Sequence, residues 1–362
     1  MFLSSQAGEW TMNERPGEYC FETGMYRPPS EGGSNSLLLR FTRNCPWNKC
    51  AFCVMYKTEK FEKRPVEEIK ADIDNMAAIC DEIKEISLQL GSSGICRQAV
   101  LDFLNRHPEM DNHAGFSMLL SWLVYGGSTA FLQDANTMIM KTDDLVEALQ
   151  YLRYKFPSIK RVTTYARSGT VARKEIQELK AIQEAGLDRL HIGLESGDDE
   201  LLKRVRKGAD SKVHIQGGVK SVEAGFQVSE YWMPGLGGED RWESHSRETA
   251  RVLNAINPHF IRSRPFRPLP GTPMHEDYQK GIFRLLSPPD QLRELRLCMA
   301  NLEVTSRVCF DHMSNYWRGS RGGLIFSHDY EGYKFPEQKQ HVLDLIEDGL
   351  QYGQKVPTFL QL

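Results

Sequence analysis

Apolar stretches recur along this 362-residue chain at a spacing that leaves few folds open. They centre near Phe131, Val162, Ile192, Val228 and Ile261, roughly thirty residues apart, the length of one strand–helix unit. Helical patterns fill the intervals, at Asp143 to Tyr154, Val171 to Ala185, Ser211 to Ala224 and Trp242 to Ala255. Strands that alternate with helices imply a parallel sheet, because each crossover must carry the chain back to its starting end. A further short run, Ser36 to Phe41, reads as a buried strand and brings the number of units to six. Six are too few to close an eight-stranded barrel but suit an open one of the same handedness. The expected fold is α/β, a partial (β/α)6 TIM-like barrel.

Other stretches interrupt or extend this rhythm. Pro65 opens the first helix, with Glu67 and Glu68 at the positive end of its dipole. Residues 91–127 read as a helical insertion after it, with short helices at Ala99 to Asn105 and Phe116 to Tyr125. Connections this long serve as functional lids or as structural elaboration, and both readings stay open. Beyond Pro273 the alternation stops; Asp290 to Val308 and Gln338 to Tyr352 read as helices of a mostly helical C-terminal extension. The expected domains are an irregular lead-in over 1–35, a core over 36–275 that includes the insertion, and the extension over 276–362.

The first strand delivers the most reactive segment. Cys45, Cys50 and Cys53 fall within nine residues, directly after Leu37-Leu38-Leu39. No fourth cysteine or histidine lies nearby: Cys20 is upstream, Cys80 is the next thiol, and the first histidine is His107. Three thiolates on one loop suit an iron–sulfur cluster with one iron left open to a substrate or cofactor. A structural zinc site would want a second pair of ligands, and three unligated thiols would be ordinary in a reducing compartment. Both remain alternatives. In open α/β folds the chemistry sits at the C-terminal ends of the strands, where this loop already lies.

Composition narrows the rest. At 40% hydrophobic, 26% charged and a net charge of −3, the chain has the balance of a soluble enzyme and no basic footprint for nucleic acid. The longest strongly apolar stretch, Phe116 to Tyr125, is too short to span a bilayer. No secretory signal is apparent in Met1 to Arg15, and eight scattered cysteines are not a disulfide framework. The expectation is a cytoplasmic protein.

The loop Cys45-Pro-Trp-Asn-Lys-Cys50-Ala-Phe-Cys53 resembles that of the radical S-adenosylmethionine (radical SAM) enzymes. The likeness continues through Arg189-Leu-His-Ile-Gly-Leu-Glu-Ser-Gly, Met233-Pro-Gly-Leu-Gly-Gly and Leu269-Pro-Gly-Thr-Pro, and spans about residues 36–275. These segments look most like the branch of oxygen-independent coproporphyrinogen oxidase and the elongator catalytic subunit. The first cysteine gap departs from the usual pattern: four residues, Pro46 to Lys49, stand where three are common.

The resemblance implies a 4Fe-4S cluster on Cys45, Cys50 and Cys53, and S-adenosyl-L-methionine chelated at the open iron. Reductive cleavage would give methionine and a 5′-deoxyadenosyl radical that takes hydrogen from a small or medium organic substrate. It also implies an oxygen-labile protein worked anaerobically, with reduced ferredoxin or flavodoxin as electron donor. Phe52 would lie against the adenine. Asp134 would meet the cofactor's ammonium, although Gln133-Asp134-Ala135-Asn136 lacks the family's glycines there. Glu195 would contact the cofactor and Lys207 its carboxylate, while Gly235 and Gly237 would let backbone approach the adenosine. Each has a plainer reading: a helix cap for Asp134, turn chemistry for Glu195, a solvated helix end for Lys207, a simple turn for the glycines. Arg262, Arg264 and Arg267 cluster near the sixth strand's end without a distinguishing mark, and His191 reads as a core histidine. A non-catalytic iron–sulfur or zinc scaffold and a tRNA-modifying enzyme are the competing functions.

Overall fold

Three consecutive leucines cannot alternate between core and water, so the strand they form must be covered on both faces. The computed structural model describes residues 18–24, 36–352 and 354–355, and in it Leu37–Leu39 are buried in β1 (Leu37–Arg40). Five strands follow in order: β2 (Thr129–Gln133), β3 (Arg161–Ala166), β4 (Arg189–Glu195), β5 (Gln227–Trp232) and β6 (Phe260–Ser263). Each pairs in parallel with its predecessor, Leu38 opposite Phe131, Ala130 opposite Val162, Thr163 opposite Arg189, Leu190 opposite Val228 and Glu230 opposite Ile261. All six expected strands are present, and the sheet's first and last strands do not pair, so it stays open.

Helices return the chain between strands. After β1 come α1 (Val66–Gln89), α2 (Arg97–Arg106) and α3 (Phe116–Val124); α4 (Thr142–Lys155) follows β2. The helix expected across 171–185 is two, α5 (Ser168–Arg173) and α6 (Ile176–Glu184). Lys174 is extended between them, and Glu175 and Glu178 form a reciprocal capping box that starts the second helix afresh. After β4 lie α7 (Asp199–Arg204) and α8 (Ser211–Glu223). After β5, α9 (Gly238–Ile256) starts four residues before Trp242.

The insertion guards an edge. Its α3 lies along the outer side of β1, where Leu38 N–H points at Met118 Sδ (3.4 Å) and Trp122 Nε1 donates to Thr129 O (2.8 Å). An unpaired edge strand is a template for aggregation, and a helix laid over it removes that hazard. Tyr19 and Phe21 pack on the same insertion through His107 and His113; residues 1–17 and 25–35 of the lead-in lie outside the described residues.

The C-terminal extension is mostly helical, with α10 (Pro273–Gln279), α11 (Pro288–Asn301) and α12 (Lys339–Tyr352), but it also lengthens the sheet. The helix expected to Val308 stops at Asn301, and β7 (Arg307–Cys309) pairs in parallel with β6, Ile261 opposite Val308. Val308 and Phe310 are both buried, a two-residue period that fits a strand and not a helix. A short β8 (Tyr333–Lys334) adds antiparallel to β7, making an eight-stranded sheet. Among the described residues no helix is long and apolar enough to cross a membrane.

Candidate functional site

The cysteine loop leaves β1 through a left-handed turn at Asn44 (φ 67°), whose side chain donates to Lys60 O (2.7 Å). Inside the loop, Asn48 N–H donates to Cys45 Sγ (3.3 Å) and Cys53 N–H to Cys50 O (3.3 Å). Lys57 Nζ ties the far side to Asn48 O (3.0 Å) and Cys50 O (3.1 Å). The loop is then docked onto the segment after β4. Ala51 N–H donates to Val205 O (2.9 Å), and Trp47 Nε1 donates to Arg206 O (2.8 Å). Gly208 makes room for this indole, since a Cβ there would lie 2.3 Å from the Trp47 ring. All three loop cysteines are unbonded and partly exposed, and burial holds the Cys53 thiol above its ordinary value.

The three sulfurs line a cavity of about 470 Å³ at the C-terminal ends of the strands. Phe52, Met55 and Lys57 continue the loop's wall; Tyr165, Ala166, His191, Gly193, Glu195, Lys207, Tyr231 and Arg264 form the facing one. Glu195 ends β4 in the left-handed region (φ 63°) beside a register shift, an unusual backbone for a residue with a side chain. That conformation delivers its carboxylate to Lys207 Nζ at 2.8 Å. Gly193 holds the space for the pair: a Cβ there would sit 2.2 Å from Glu195 Oε1 and 3.0 Å from Lys207 Nζ. Arg167 joins both walls, donating to Lys207 O (2.7 Å) while its guanidinium stacks on Trp47 (5.2 Å). Across the floor, Tyr231 Oη and His191 Nδ1 share a hydrogen bond of 3.2 Å.

Of the residues picked from sequence, Cys45, Cys50, Cys53, Phe52, Glu195 and Lys207 meet at this one cavity. Asp134, Gly235 and Gly237 are not among its lining residues. Asp134 is buried behind the loop, where Oδ2 accepts from Arg40 Nε (2.8 Å) and from Asn44 N–H (2.9 Å). Its other oxygen, Oδ1, is buried without a hydrogen-bond partner among the described residues. It does not cap α4, which follows Lys141 and has no side-chain cap. Gly235 N–H donates to Glu294 Oε2 (2.5 Å), and Gly237 precedes the first turn of α9. Burial raises the Glu294 carboxyl to about 8, against some lowering by that amide.

Sequence reasoning left out Tyr165, Gly193, Tyr231, Arg167 and Lys57, and did not choose among the arginines near β6. His191 is buried as a core histidine would be, yet it also lines the cavity, and Arg264 is the arginine that does so. The available signal was the period of two. His191, Gly193 and Glu195 alternate along β4 and share one face, the one that turns inward here.

Three thiolates of one loop have the chemistry of cluster ligands. A single tetrahedral metal needs its donors gathered about one point, each roughly 2.0–2.3 Å from it. Among the described residues no group of three His, Cys, Asp or Glu gathers in that way. In a cluster each thiolate binds a separate iron, and the three loop sulfurs line one cavity.

Residues 122–249 match the family model described as Radical SAM superfamily. That match covers about a third of the chain, which over this part is similar to the radical SAM superfamily. The cysteine loop lies upstream of the matched residues. No curated protein matches the chain. Among solved structures, methylornithine synthase (PylB) aligns at 17% identity over 76% of this chain and 65% of its own, TM-score 0.42. Elp3 of the archaeon Methanocaldococcus infernus aligns at 14% identity over 68% and 62%, TM-score 0.45. Coproporphyrinogen III oxidase (HemN) from Escherichia coli aligns at 16% identity over 49% and 41%, TM-score 0.39. The chain thus spans less than two thirds of the length of these structures.

Proposed function

We propose that this protein is a radical SAM enzyme that carries a 4Fe-4S cluster on Cys45, Cys50 and Cys53, cleaves S-adenosyl-L-methionine reductively, and abstracts hydrogen from an organic substrate. The observation that carries the reading is the convergence of three sulfurs and the Glu195–Lys207 pair on one cavity. When bound, the cluster and cofactor together supply an electron and a carbon-centred radical able to break a C–H bond.

The chain's own residues bind and shield. Lys207 and Glu195 present a cation and a carboxylate side by side, 2.8 Å apart, the complement of an amino acid's ammonium and carboxylate. Phe52 gives the aromatic face for the adenine. Trp47, Lys57 and Asp134 fix the loop from three sides, which keeps the sulfurs in place as the cavity fills. Tyr165, Ala166 and Met55 make the remaining wall largely apolar and exclude water from reactive species. A reducing cytoplasm would preserve the thiols, and a reduced ferredoxin or flavodoxin is the expected donor.

The test is anaerobic reconstitution with iron and sulfide, followed by dithionite and S-adenosyl-L-methionine. We expect a brown protein that forms 5′-deoxyadenosine, and Cys50→Ala should lose both properties. A colourless protein that retains zinc, or a brown one that leaves the cofactor intact, would overturn the proposal.

A further inference from the structure

Glu195 keeps its left-handed backbone only where its surroundings fix it, because that conformation is disfavoured for a residue with a side chain. The fixing comes from outside the cavity, from α9. Arg241, His245 and Thr249 stand four residues apart and so share one face of that helix. They grip the three residues that follow Glu195, one each. Arg241 Nε and Nη2 donate to Asp198 Oδ2 (3.0 Å) and Oδ1 (2.9 Å). Thr249 Oγ1 accepts from Gly197 N–H (3.0 Å). His245 Nδ1 and Ser196 Oγ share a hydrogen bond of 2.8 Å.

His245 also reaches the end of the next strand. Its Nε2 lies 3.0 Å from Met233 O, and Met233 N–H donates to Glu195 O (3.0 Å). A carbonyl only accepts, so Nε2 carries the ring's hydrogen and Nδ1 is left to accept. The hydroxyls around Nδ1 are disposed for this. Ser196 Oγ takes the Asp198 N–H (3.0 Å) and Thr249 Oγ1 the Gly197 N–H, which leaves each O–H to point at the ring, at 2.8 and 3.4 Å. Burial holds the imidazole down to about 4, so it is neutral near pH 7 and keeps its acceptor. Glu294 Oε1 is 4.0 Å from Nε2, too far to compete for its hydrogen. One imidazole therefore closes a circuit of hydrogen bonds around the Glu195 peptide: ring to Met233, Met233 to Glu195, and the adjoining Ser196 back to the ring.

We propose that His245 is a positioning residue, which locks the Glu195 backbone from both sides and so aims the carboxylate at Lys207. His245 is not among the residues that line the cavity, so it acts through Glu195. Its effect on the cofactor rests on the reading of the Glu195–Lys207 pair as a cofactor-binding element; the positioning itself does not.

The experiment labels the iron-loaded full chain with limiting acetic anhydride and reads acetylation of Lys207 by mass spectrometry, with the half-exposed Lys84 as internal standard. In the wild type, pairing with Glu195 protects the Lys207 amine. His245→Ala should raise the Lys207-to-Lys84 ratio on the order of tenfold, the effect of one buried hydrogen bond lost. His245→Gln keeps a donor near Met233 O and His245→Asn an acceptor near Ser196, so each should restore part of the protection. Leu253→Ala, a truncation on the buried side of the same helix, is the control for a general loss of stability, matched by thermal melting. Should His245→Ala fail to fold, Ser196→Ala cuts the same circuit from the loop side, with the same expected rise. A ratio no higher than that of Leu253→Ala, or no recovery in either conservative variant, would overturn the inference and leave the imidazole a packing element. Equilibrium dialysis of S-adenosyl-L-methionine separates the two claims. Raised labelling with weakened cofactor binding supports both; raised labelling with cofactor binding absent from the wild type, or unchanged in the variants, upholds the positioning and counts against the proposed function alone.

Discussion

Lys207→Met removes the ammonium that lies 2.8 Å from Glu195, in a wall where the two side chains are 9% and 14% exposed. Breaking one partner of such a buried pair costs about 3 kcal/mol, because the remaining carboxylate is left uncompensated. Removing both charges, as Lys207→Met with Glu195→Leu, should recover stability to within about 1 kcal/mol of wild type, since neither charge then needs desolvating. Function should not recover with it. If the pair recognises the amino-acid end of the cofactor, equilibrium dialysis of S-adenosyl-L-methionine against iron-loaded protein should show the double variant binding on the order of tenfold weaker or worse. Urea unfolding midpoints supply the stability arm. A double variant that binds the cofactor as wild type does would refute the reasoning and make the pair a fold element only.

Other expectations follow from the same geometry. Gly193→Ala places a methyl group 2.2 Å from Glu195 Oε1, but both nearest groups are the ends of flexible side chains. Cofactor binding by dialysis should therefore weaken about tenfold while the melting temperature moves little; an unchanged dissociation constant would contradict the cradle role. Gly208→Ala meets the Trp47 ring at 2.3 Å on a left-handed backbone (φ 75°), and should cost about 2 kcal/mol in denaturant unfolding together with lower iron retention. Glu294 is buried, and that burial raises its carboxyl from 4.5 to about 8. The folded state therefore holds this proton more tightly than the unfolded one. Its contribution is complete below about pH 4.5 and lost as pH rises through about 8. Glu294→Gln should flatten the fall of stability across that window, as read by melting at several pH values, and an unchanged slope would count against it.

Much of this was legible in local sequence, for reasons that are themselves local. Each of the six strands carries its own apolar run, and the three cysteines share one loop, so no long-range knowledge was needed to pair Cys45 with Cys53. The break at Lys174 was harder to see, because an apolar helical period runs through it while the Glu175–Glu178 box acts across it. β7 was hidden because its few residues follow directly on a helical pattern, and only pairing with β6 makes them a strand. The facing wall depended on convergence: Tyr165, Tyr231 and Arg264 come from three strand ends, and nothing in one segment announces the others. Asp134 had the right position in the chain but turned behind the loop, because Arg40 and the Asn44 amide compete for its carboxylate.

The account depends on a vacant iron at the centre of the cavity. Electron paramagnetic resonance of the dithionite-reduced, reconstituted protein tests that directly, with and without S-adenosyl-L-methionine. We expect the reduced cluster signal to change when the cofactor is added, and to be absent from Cys50→Ala. A strong cluster signal that the cofactor leaves unaltered would mean that every iron is already ligated, and would contradict the account.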